Sequence, residues 1–552
     1  MPATSLARAR MTNGSEPRGK LRVGMVVDST AVPRWVADVV SDVAGADFVE
    51  PVVLLVRRPP GPRTGRARKA LRRSRRLLYT LYRSADRRLF DRAPDPFSLV
   101  QLDSLLAEPP LELMPDELAR QANAADELDV VLRLCSSVAS ATLAPLARHG
   151  AWSFLHGDGM DYRRDPPQFW EMYDGAPVAG ALLEAVFEPS QRPRVIYRSY
   201  SATDPISLQR TRAAVYSKAS RFPLRCLRDL HRGLDVAGGA PERPTDGDAD
   251  GLPTNPQMVR HIGMVGTRAL GRQVRHRIRY EDWFIAYRSR RADQDPPTDM
   301  DGFRIIPRPA GRCHVDPFLA DVDGRHLVFF EDYALTDRKG RISYCEIGPD
   351  GTSEPEVALE ADYHLSYPVV FRWNGETYML PETSANRTIE LYRADEYPRK
   401  WVLEGTLMED VVAVDSTLLE HKGLYWMFTN IPAPGARLAD ELHVFWSDSP
   451  LGEWTPHPSN PVVSDARCAR PAGALLSENG RIVRPAQDCS GAYGSAVVFR
   501  EIEELSAESY RERDVSRIDP GWLKRNRGTH TYNRDSAYEV VDGRRFRGRP
   551  WR

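Results

Sequence analysis

Four segments in the second half of this chain superpose on a glycine, and that repeat constrains its fold more than any other feature. They read HVDPFLADVDGRHLVFFED, LSYPVVFRWNGETYMLPE, AVDSTLLEHKGLYWMFTN and RPAGALLSENGRIVRPAQD. Asp316, Tyr367, Asp415 and Ala472 each fall eight residues before the glycine, and Glu331, Glu382, Asn430 and Gln487 each fall seven after it. The units start 51, 48 and 57 residues apart. Each glycine sits in a turn pair (Asp323-Gly324, Asn374-Gly375, Lys422-Gly423, Asn479-Gly480) between short runs rich in aromatic and β-branched residues, which is the signature of a hairpin. A lone hairpin cannot bury its apolar face, so units at this period stack radially around a channel. A fifth unit is half visible as Thr529–Asn533 followed by Ala537–Gly543, and Trp283–Arg288 can supply its outer strands. Joining the first and last strands in one blade closes the ring and removes exposed edges. The expectation is an all-β five-bladed propeller over 259–552.

Position in such a ring carries chemistry. Residues that start the innermost strands gather at the channel mouth, so Asp316 and Asp415, with Glu331 and Glu382 from neighbouring strand ends, are candidate catalytic acids and bases. Paired carboxylates at suitable spacing can work on a glycosidic bond. His314, Tyr367, Asn430, Gln487 and His530 are candidate substrate-binding residues. The competing reading is that these polar groups only satisfy strand ends and turns. Trp401, Trp426, Trp446 and Trp454 fit blade packing better than a sugar platform.

The first half reads as an α/β open sheet. Leu21–Val27, Val52–Val56 and Val130–Leu134 are apolar runs of strand length, and Pro33–Val43 reads as an amphipathic helix. No GxGxxG follows the first strand, so the dinucleotide fingerprint is missing. This domain spans 21–235, after a tail at 1–20. A linker at 236–258, with the run GGAPERPTDGDADGLPTNPQ, separates it from the propeller. Between Arg57 and Arg92, fourteen Lys and Arg face two Asp, and Leu71, Leu77, Leu78, Leu81 and Leu89 recur at near-helical spacing. This basic insertion at 57–92 reads either as a helix for weak contact with an anionic membrane surface or as a solvated helix on the sheet edge.

The whole chain balances 76 Lys and Arg against 76 Asp and Glu, which argues against nucleic acid as a partner. Six well-separated cysteines without a CxxC pair fit reduced thiols, and no stretch has the length and apolarity of a membrane span. The first twenty residues lack the apolar core of a secretory signal. A cytoplasmic location is therefore expected. The histidines show no metal-ligand spacing, and no Walker loop or nucleophile elbow is present.

Both halves resemble known families. The propeller, through HVDPF and GTHTYN…YEVVDG, resembles the N-terminal domain of plant glucosamine inositolphosphorylceramide transferases. More distantly it resembles the five-bladed propellers of family-43 glycoside hydrolases, whose first blade offers a catalytic Asp in a context like Val315-Asp316-Pro317. The stretch GAWSFLHGDGMDYRRDPPQFWEMYDGAPVAGALL is similar to the formyltransferase fold, which uses 10-formyltetrahydrofolate. That resemblance puts His156 on the catalytic histidine, and Phe169-Trp170 and Gly180 on structural positions. It also implies departures, because Phe154 stands for the family's catalytic Asn and Gln191-Arg192 for its catalytic Asp. Phe154 cannot stabilise an oxyanion and Arg192 has the wrong charge. Asp158 remains near enough in sequence to pair with His156.

Together these readings predict a transferase-type carbohydrate-active protein that binds a sugar or sugar-containing small molecule in the propeller channel. The alternatives are a glycoside hydrolase, a non-catalytic scaffold with a degenerate formyltransferase domain, and a folate-dependent N-formyltransferase.

Overall fold

A computed structural model describes residues 19–56, 77–90, 95–106, 109–113, 128–157, 165–236, 251–291, 296–297, 299–322 and 324–548. It divides into two compact units, Leu6–Leu270 with Ala433–Ala436, and Gly271–Pro432 with Arg437–Arg552.

In the first unit, β1 (Leu21–Val27), β2 (Ala31–Pro33), β3 (Val49–Val56), β4 (Leu99–Gln101), β5 (Leu111–Leu113), β6 (Val130–Arg133), β7 (Ala151–Leu155), β8 (Val178–Val186) and β9 (Arg194–Ala202) follow in chain order. Seven of them form one sheet in the order β5-β3-β1-β6-β7-β8-β9, while β2 pairs with β4. Strands β5 to β7 along that order are parallel, and β8 and β9 are antiparallel. The order reverses between β1 and β6, and such a switch opens a crevice at the carboxyl ends of the strands. Val36, Val39, Val40 and Val43 of the helix Arg34–Ala44 pack on one face of this sheet. Their spacing of three and four residues makes that stripe.

Of the basic insertion, residues 77–90 form a helix, Leu77–Phe90, and the remainder lies outside the described residues. The apolar face differs from the one the leucines suggest, because Leu77, Leu81 and Leu89 are exposed. Tyr79 is buried instead, in a cluster with Phe169, Trp170, Met172 and Leu208, and Leu78 and Tyr82 pack against it. The buried Asp86 accepts the backbone N–H of Gln209 at 2.6 Å. Aromatic contact and one buried carboxylate therefore orient the helix, where leucine spacing alone pointed elsewhere.

The second unit is a five-bladed propeller. Its first strands, β10 (Arg279–Ser289) and β11 (Arg304–Ile305), are the outer half of the last blade. Blade I holds β12 (Arg312–Val322), β13 (Arg325–Ala334), β14 (Lys339–Gly348), β15 (Gly351–Thr352) and β16 (Glu356–Leu359). Blade II holds β17 (Ser366–Trp373), β18 (Glu376–Glu382), β19 (Ile389–Glu396) and β20 (Lys400–Met408). Blade III holds β21 (Val414–His421), β22 (Leu424–Asn430), β23 (Glu441–Ser447), β24 (Thr455–Pro456) and β25 (Val463–Ser464). Blade IV holds β26 (Arg470–Pro471), β27 (Leu476–Glu478), β28 (Arg481–Asp488), β29 (Ala496–Leu505) and β30 (Tyr510–Ile518). Blade V is completed by β31 (Tyr532–Arg534) and β32 (Tyr538–Gly548), the latter paired with β10 along eleven residues from Arg279↔Gly548 to Ser289↔Tyr538.

Apolar seams close the ring. Phe329 meets Met379 and Trp401 between blades I and II, and Phe318 and Leu380 meet Met427 between I, II and III. Trp426 and Phe428 meet Ile482 and Ile502 between III and IV, and Phe499 meets Tyr532 and Val541 between IV and V. Ile285 and Val540 meet Val328 and Phe330 between V and I. Each such buried side chain contributes roughly 1.5–3 kcal/mol, so every blade depends on both neighbours. Trp401, Trp426 and Trp454 are buried in these seams, with Trp446 packed on one of them. The turns Asn374-Gly375, Lys422-Gly423 and Asn479-Gly480 have positive φ at both residues, the geometry of two-residue hairpin turns.

Candidate active site at the propeller mouth

The repeat places a shared backbone distortion under its chemistry. Asp316, Tyr367 and Asp415 have φ of 51°, 47° and 54°. Each sits at a bulge, where the innermost strand slips against its neighbour between Val315 and Phe318, Ser366 and Val369, and Val414 and Thr417. The left-handed conformation costs a non-glycine residue about 1–2 kcal/mol and persists only where the surroundings impose it. In blade IV the distortion moves to Gly473, at φ 133°, where an added Cβ would lie 2.1 Å from the Tyr532 carbonyl. Glycine is required there because blade V passes so close.

Asp316 is 5% exposed. Its Oδ1 accepts the Thr531 hydroxyl at 2.8 Å and lies 3.5 Å from His530 Nε2. The other ring nitrogen of His530 is ion-paired to Asp542, whose Oδ1 also accepts the N–H groups of His530 and Thr531 at 2.8 and 3.1 Å. Burial pushes Asp316 up to about 6, against the pull of His530 and with added repulsion from Asp415 and Asp542. Burial works against the His530 charge, but Asp542 and Asp316 hold its pKa above the ordinary value. Asp316 thus exchanges its proton near neutrality, as general acid–base work needs.

Asp415 is built differently. Arg470 Nε donates to its Oδ2 at 2.6 Å and the Arg470 NH2 group to Oδ1 at 3.3 Å, while Gln487 Nε2 donates to Oδ2 at 2.8 Å. Its own N–H donates to Glu382 Oε2 at 3.3 Å. Burial pushes Asp415 up to about 7 against the pull of Arg470. The forked guanidinium and the amide occupy both oxygens, so Asp415 anchors the site and Gln487 supports it. Glu382 also accepts the Ser384 hydroxyl at 2.6 Å.

Glu331 faces His364 Nε2 at 3.5 Å. His364 Nδ1 accepts the Gly340 N–H at 2.9 Å, so the ring proton is on Nε2, toward the carboxylate. Burial raises the Glu331 pKa well above its ordinary value, reinforced by Asp316, Glu382 and Asp415. Four carboxylates from three blades therefore share one field, and like charges near one another cannot all ionise.

The remaining predicted residues are engaged in contacts within and between blades. Tyr367 is fully buried; its oxygen accepts the Gly473 N–H at 2.6 Å and lies 3.0 Å from Thr417 Oγ1, tying blades II, III and IV together. Asn430 Nδ2 donates to the Glu441 carbonyl at 2.8 Å inside blade III. His314 is 1% exposed, packed on Phe330 at 4.4 Å and 3.6 Å from Asp332 Oδ1, and burial lowers its pKa to about 4.

Several side chains that surround Asp316, Asp415 and His530 escaped the sequence reading. Tyr493 is 43% exposed, lies edge-on to His530 at 5.2 Å, and carries Arg470 over its ring at 5.0 Å. Trp283 stacks on His530 at 4.3 Å. Trp283, Tyr493 and Asp542 lie outside the aligned segments, whereas Arg470 falls in the column of His314, ten residues before the glycine. Asp316, His530 and Asp542 also place one ligand atom each within 4.8 Å of one another. In this arrangement the imidazole bridges the two carboxylates itself.

In the α/β unit, His156 follows β7 at the carboxyl end of the sheet. Its ring stacks on Tyr216 at 3.8 Å, lies parallel to Phe154 at 5.6 Å, and meets Trp35 edge-on at 5.2 Å. Among the described residues neither ring nitrogen has a hydrogen-bond partner, and burial, with Arg212 nearby, lowers its pKa to about 3. Asp158 lies outside the described residues. Phe169 and Trp170 are core residues and Gly180 lies in β8. At the sheet's switch point, Asp28 accepts the Ser136 N–H at 2.9 Å.

Residues 310–547 match the sequence family described as Glucosamine inositolphosphorylceramide transferase 1, N-terminal. The rice (Oryza sativa subsp. japonica) protein named Glucosamine inositolphosphorylceramide transferase 1 is 34% identical over 241 residues, covering 43% of this chain and 32% of that protein. Its Arabidopsis thaliana namesake is 38% identical over 205 residues, covering 36% and 27%. The chain thus spans about a third of the length of these curated relatives. Among solved structures, a β-xylosidase (RS223) gives a TM-score of 0.31 at 14% identity, covering 42% of this chain and 91% of that one. A likeness at that score carries no argument about chemistry. The family match falls in the propeller, and the formyltransferase resemblance of the α/β unit rests on its sequence motif alone.

Proposed function

We propose that this protein acts on a sugar-bearing substrate bound at the propeller mouth, as a transferase in glycan or glycolipid synthesis, with Asp316 as the acid–base residue. One observation carries the reading. Asp316 is a buried, strained carboxylate poised at about 6 beside an imidazole that Asp542 orients. Around it, burial and the neighbouring carboxylates raise the Glu331 pKa, Asp415 is clamped, and the exposed Tyr493 ring offers an apolar face for a sugar. The sequence likeness of 310–547 to the N-terminal part of a glycosyl-transferring enzyme supports the same substrate class. A thermal-shift and turnover screen against nucleotide sugars and glycosides tests it, with Asp316→Asn as the diagnostic variant. A ligand response that vanishes in the variant supports the reading, and one that survives there at full strength overturns it.

Glycoside hydrolysis is the second reading, favoured by two carboxylates in the same site, Asp316 and Glu331, whose pKa values burial raises. It predicts free reducing sugar from a glycoside with no acceptor added. A transferase predicts no free sugar: only with an acceptor present is the donor's leaving group released, with the sugar joined to the acceptor.

A further inference from the structure

Blade V carries a second feature that the carboxylate site does not use. A cavity of about 490 Å³ is lined by Arg279, Arg525, Arg527, Phe546 and Gly548. Arg275 lies over the Phe546 ring at 5.2 Å. Nearby guanidiniums are already occupied: Arg545 and Arg547 pair with Asp282 at 2.9 and 2.6 Å, and Arg544 lies 3.6 Å from Glu281. Among the described residues neither Arg525 nor Arg527 has an acidic partner, and both are exposed.

The loop that presents them is held rigidly. The buried Asn526 side chain accepts the N–H groups of Arg527 and Arg544 at 3.1 and 2.8 Å and donates to Thr529 at 3.2 Å. Thr529 also accepts Trp522 Nε1 at 2.8 Å. Arg525 itself has φ 68°, an uncommon conformation for a long side chain. Unpaired arginines on a preorganised loop, around a cavity, are the arrangement that binds phosphate, since the guanidinium fork matches two phosphate oxygens.

We propose that this cavity is a binding site for a phosphate monoester or diester group. It is independent of the acid–base reading of Asp316. The two sites are nonetheless neighbours, because Asp542 and Phe546 are four residues apart on β32, roughly 13 Å at the rise of an extended strand. That span suits a ligand whose sugar and phosphate groups occupy the two sites together.

The test is isothermal titration of the full chain with inorganic phosphate and with a soluble hexose phosphate. Flotation with phosphatidylcholine vesicles, with and without a phosphoinositide, runs in parallel. The double variant Arg525→Ala/Arg527→Ala should lose at least tenfold in phosphate affinity, and Arg525→Lys/Arg527→Lys should lose less, with the unfolding midpoint unchanged in both. Binding of the soluble esters alone assigns the cavity to free sugar phosphates. Phosphoinositide-dependent flotation that free phosphate competes away assigns it to a lipid headgroup. Neither binding nor flotation by the native chain, or either one persisting at native strength in the alanine variant, overturns the proposal. Asp316→Asn should bind inorganic phosphate normally, so failure of the carboxylate reading would leave this one standing.

Discussion

His156 and His530 are imidazoles stacked on an aromatic ring, at 3.8 Å on Tyr216 and at 4.3 Å on Trp283, the first half-buried with both nitrogens shielded from water and the second fully buried. Burial alone drives both toward the neutral form. His156 follows it, down to about 3, because its ring nitrogens meet no partner among the described residues. His530 goes the other way, because Asp542 and Asp316 flank it on either side. His530 is the more deeply buried residue, yet its pKa is the one that rises; what decides the direction is whether the fold brings a carboxylate to the ring. The propeller does so because neighbouring blades deliver strand ends to one axis.

The largest effect that sharpens this contrast is on turnover. Asp316→Asn keeps the Thr531 hydrogen bond within reach but removes the exchangeable proton, so activity on a sugar-bearing substrate should fall 10²–10⁴-fold. His156→Ala should leave the same activity within about twofold if the chemistry is confined to the propeller. Steady-state rates on the two variants decide this, and a larger loss in the His156 variant would break the comparison. Next comes Arg470→Ala, which strands the buried Asp415 without its fork. Losing one partner of a buried pair costs about 3–5 kcal/mol, readable as a lowered denaturation midpoint. That cost should be full only at high pH and shrink toward neutrality, because Asp415, held at about 7 even beside Arg470, rises further without it and takes up a proton.

The pH dependence should run in opposite directions in the two units. Asp316 and Asp415 hold their protons to about 6 and 7, whereas the unfolded chain releases them near 4. These two carboxylates therefore bind more protons in the folded propeller between those values, and their contribution to its stability falls as pH rises to about 7, opposed in part by His314 at about 4. His156 and His261 have folded values of about 3 and 4, against about 6.5 unfolded. There the unfolded chain binds more protons, so stability is full above about 6.5 and lost as pH falls. At about 1.4 kcal/mol per unit, His156 alone should lose roughly 2 kcal/mol between pH 6.5 and 5. Hydrogen exchange resolved by peptide at pH 5 and 8 would show it. Parallel slopes in the two units would sink the argument.

The sequence made the blades legible because strand, turn and strand recur with fixed glycines, and Trp283–Arg288 could be placed in the closing blade before any coordinates. Asp316 and Asp415 stood out for the same reason. Arg470 did not, because blade IV pairs Arg470 with Gln487 across seventeen residues where Val315 and Glu331 are sixteen apart. That slip puts Arg470 one position ahead of its paired counterparts Val315, Ser366 and Val414, in the column of His314. Asp542 was hidden because the fifth hairpin lacks the glycine turn that registers the others. In the basic insertion, leucine spacing pointed to a face that the structure leaves exposed, since Tyr79, Tyr82 and Asp86 find partners brought in from residues 165–261. Local periodicity cannot foresee such partners.

The smallest predicted effect is also the most direct probe of the comparison, because the same replacement is made in both units. Tyr367→Phe removes a hydroxyl that accepts the Gly473 N–H and meets Thr417. The ring stays, but a buried donor in blade IV loses its acceptor, so the change should destabilise by about 1–2 kcal/mol. His156→Phe removes two buried nitrogens with no partner among the described residues and keeps an aromatic ring on Tyr216. Nothing among those residues is stranded by the change, so it should be neutral or stabilise by up to about 1 kcal/mol. Urea midpoints at pH 7, followed by hydrogen exchange within each unit, measure both. If His156→Phe destabilises as much as Tyr367→Phe, the imidazole has a partner after all, and the α/β unit would hold its histidine for chemistry as the propeller holds His530.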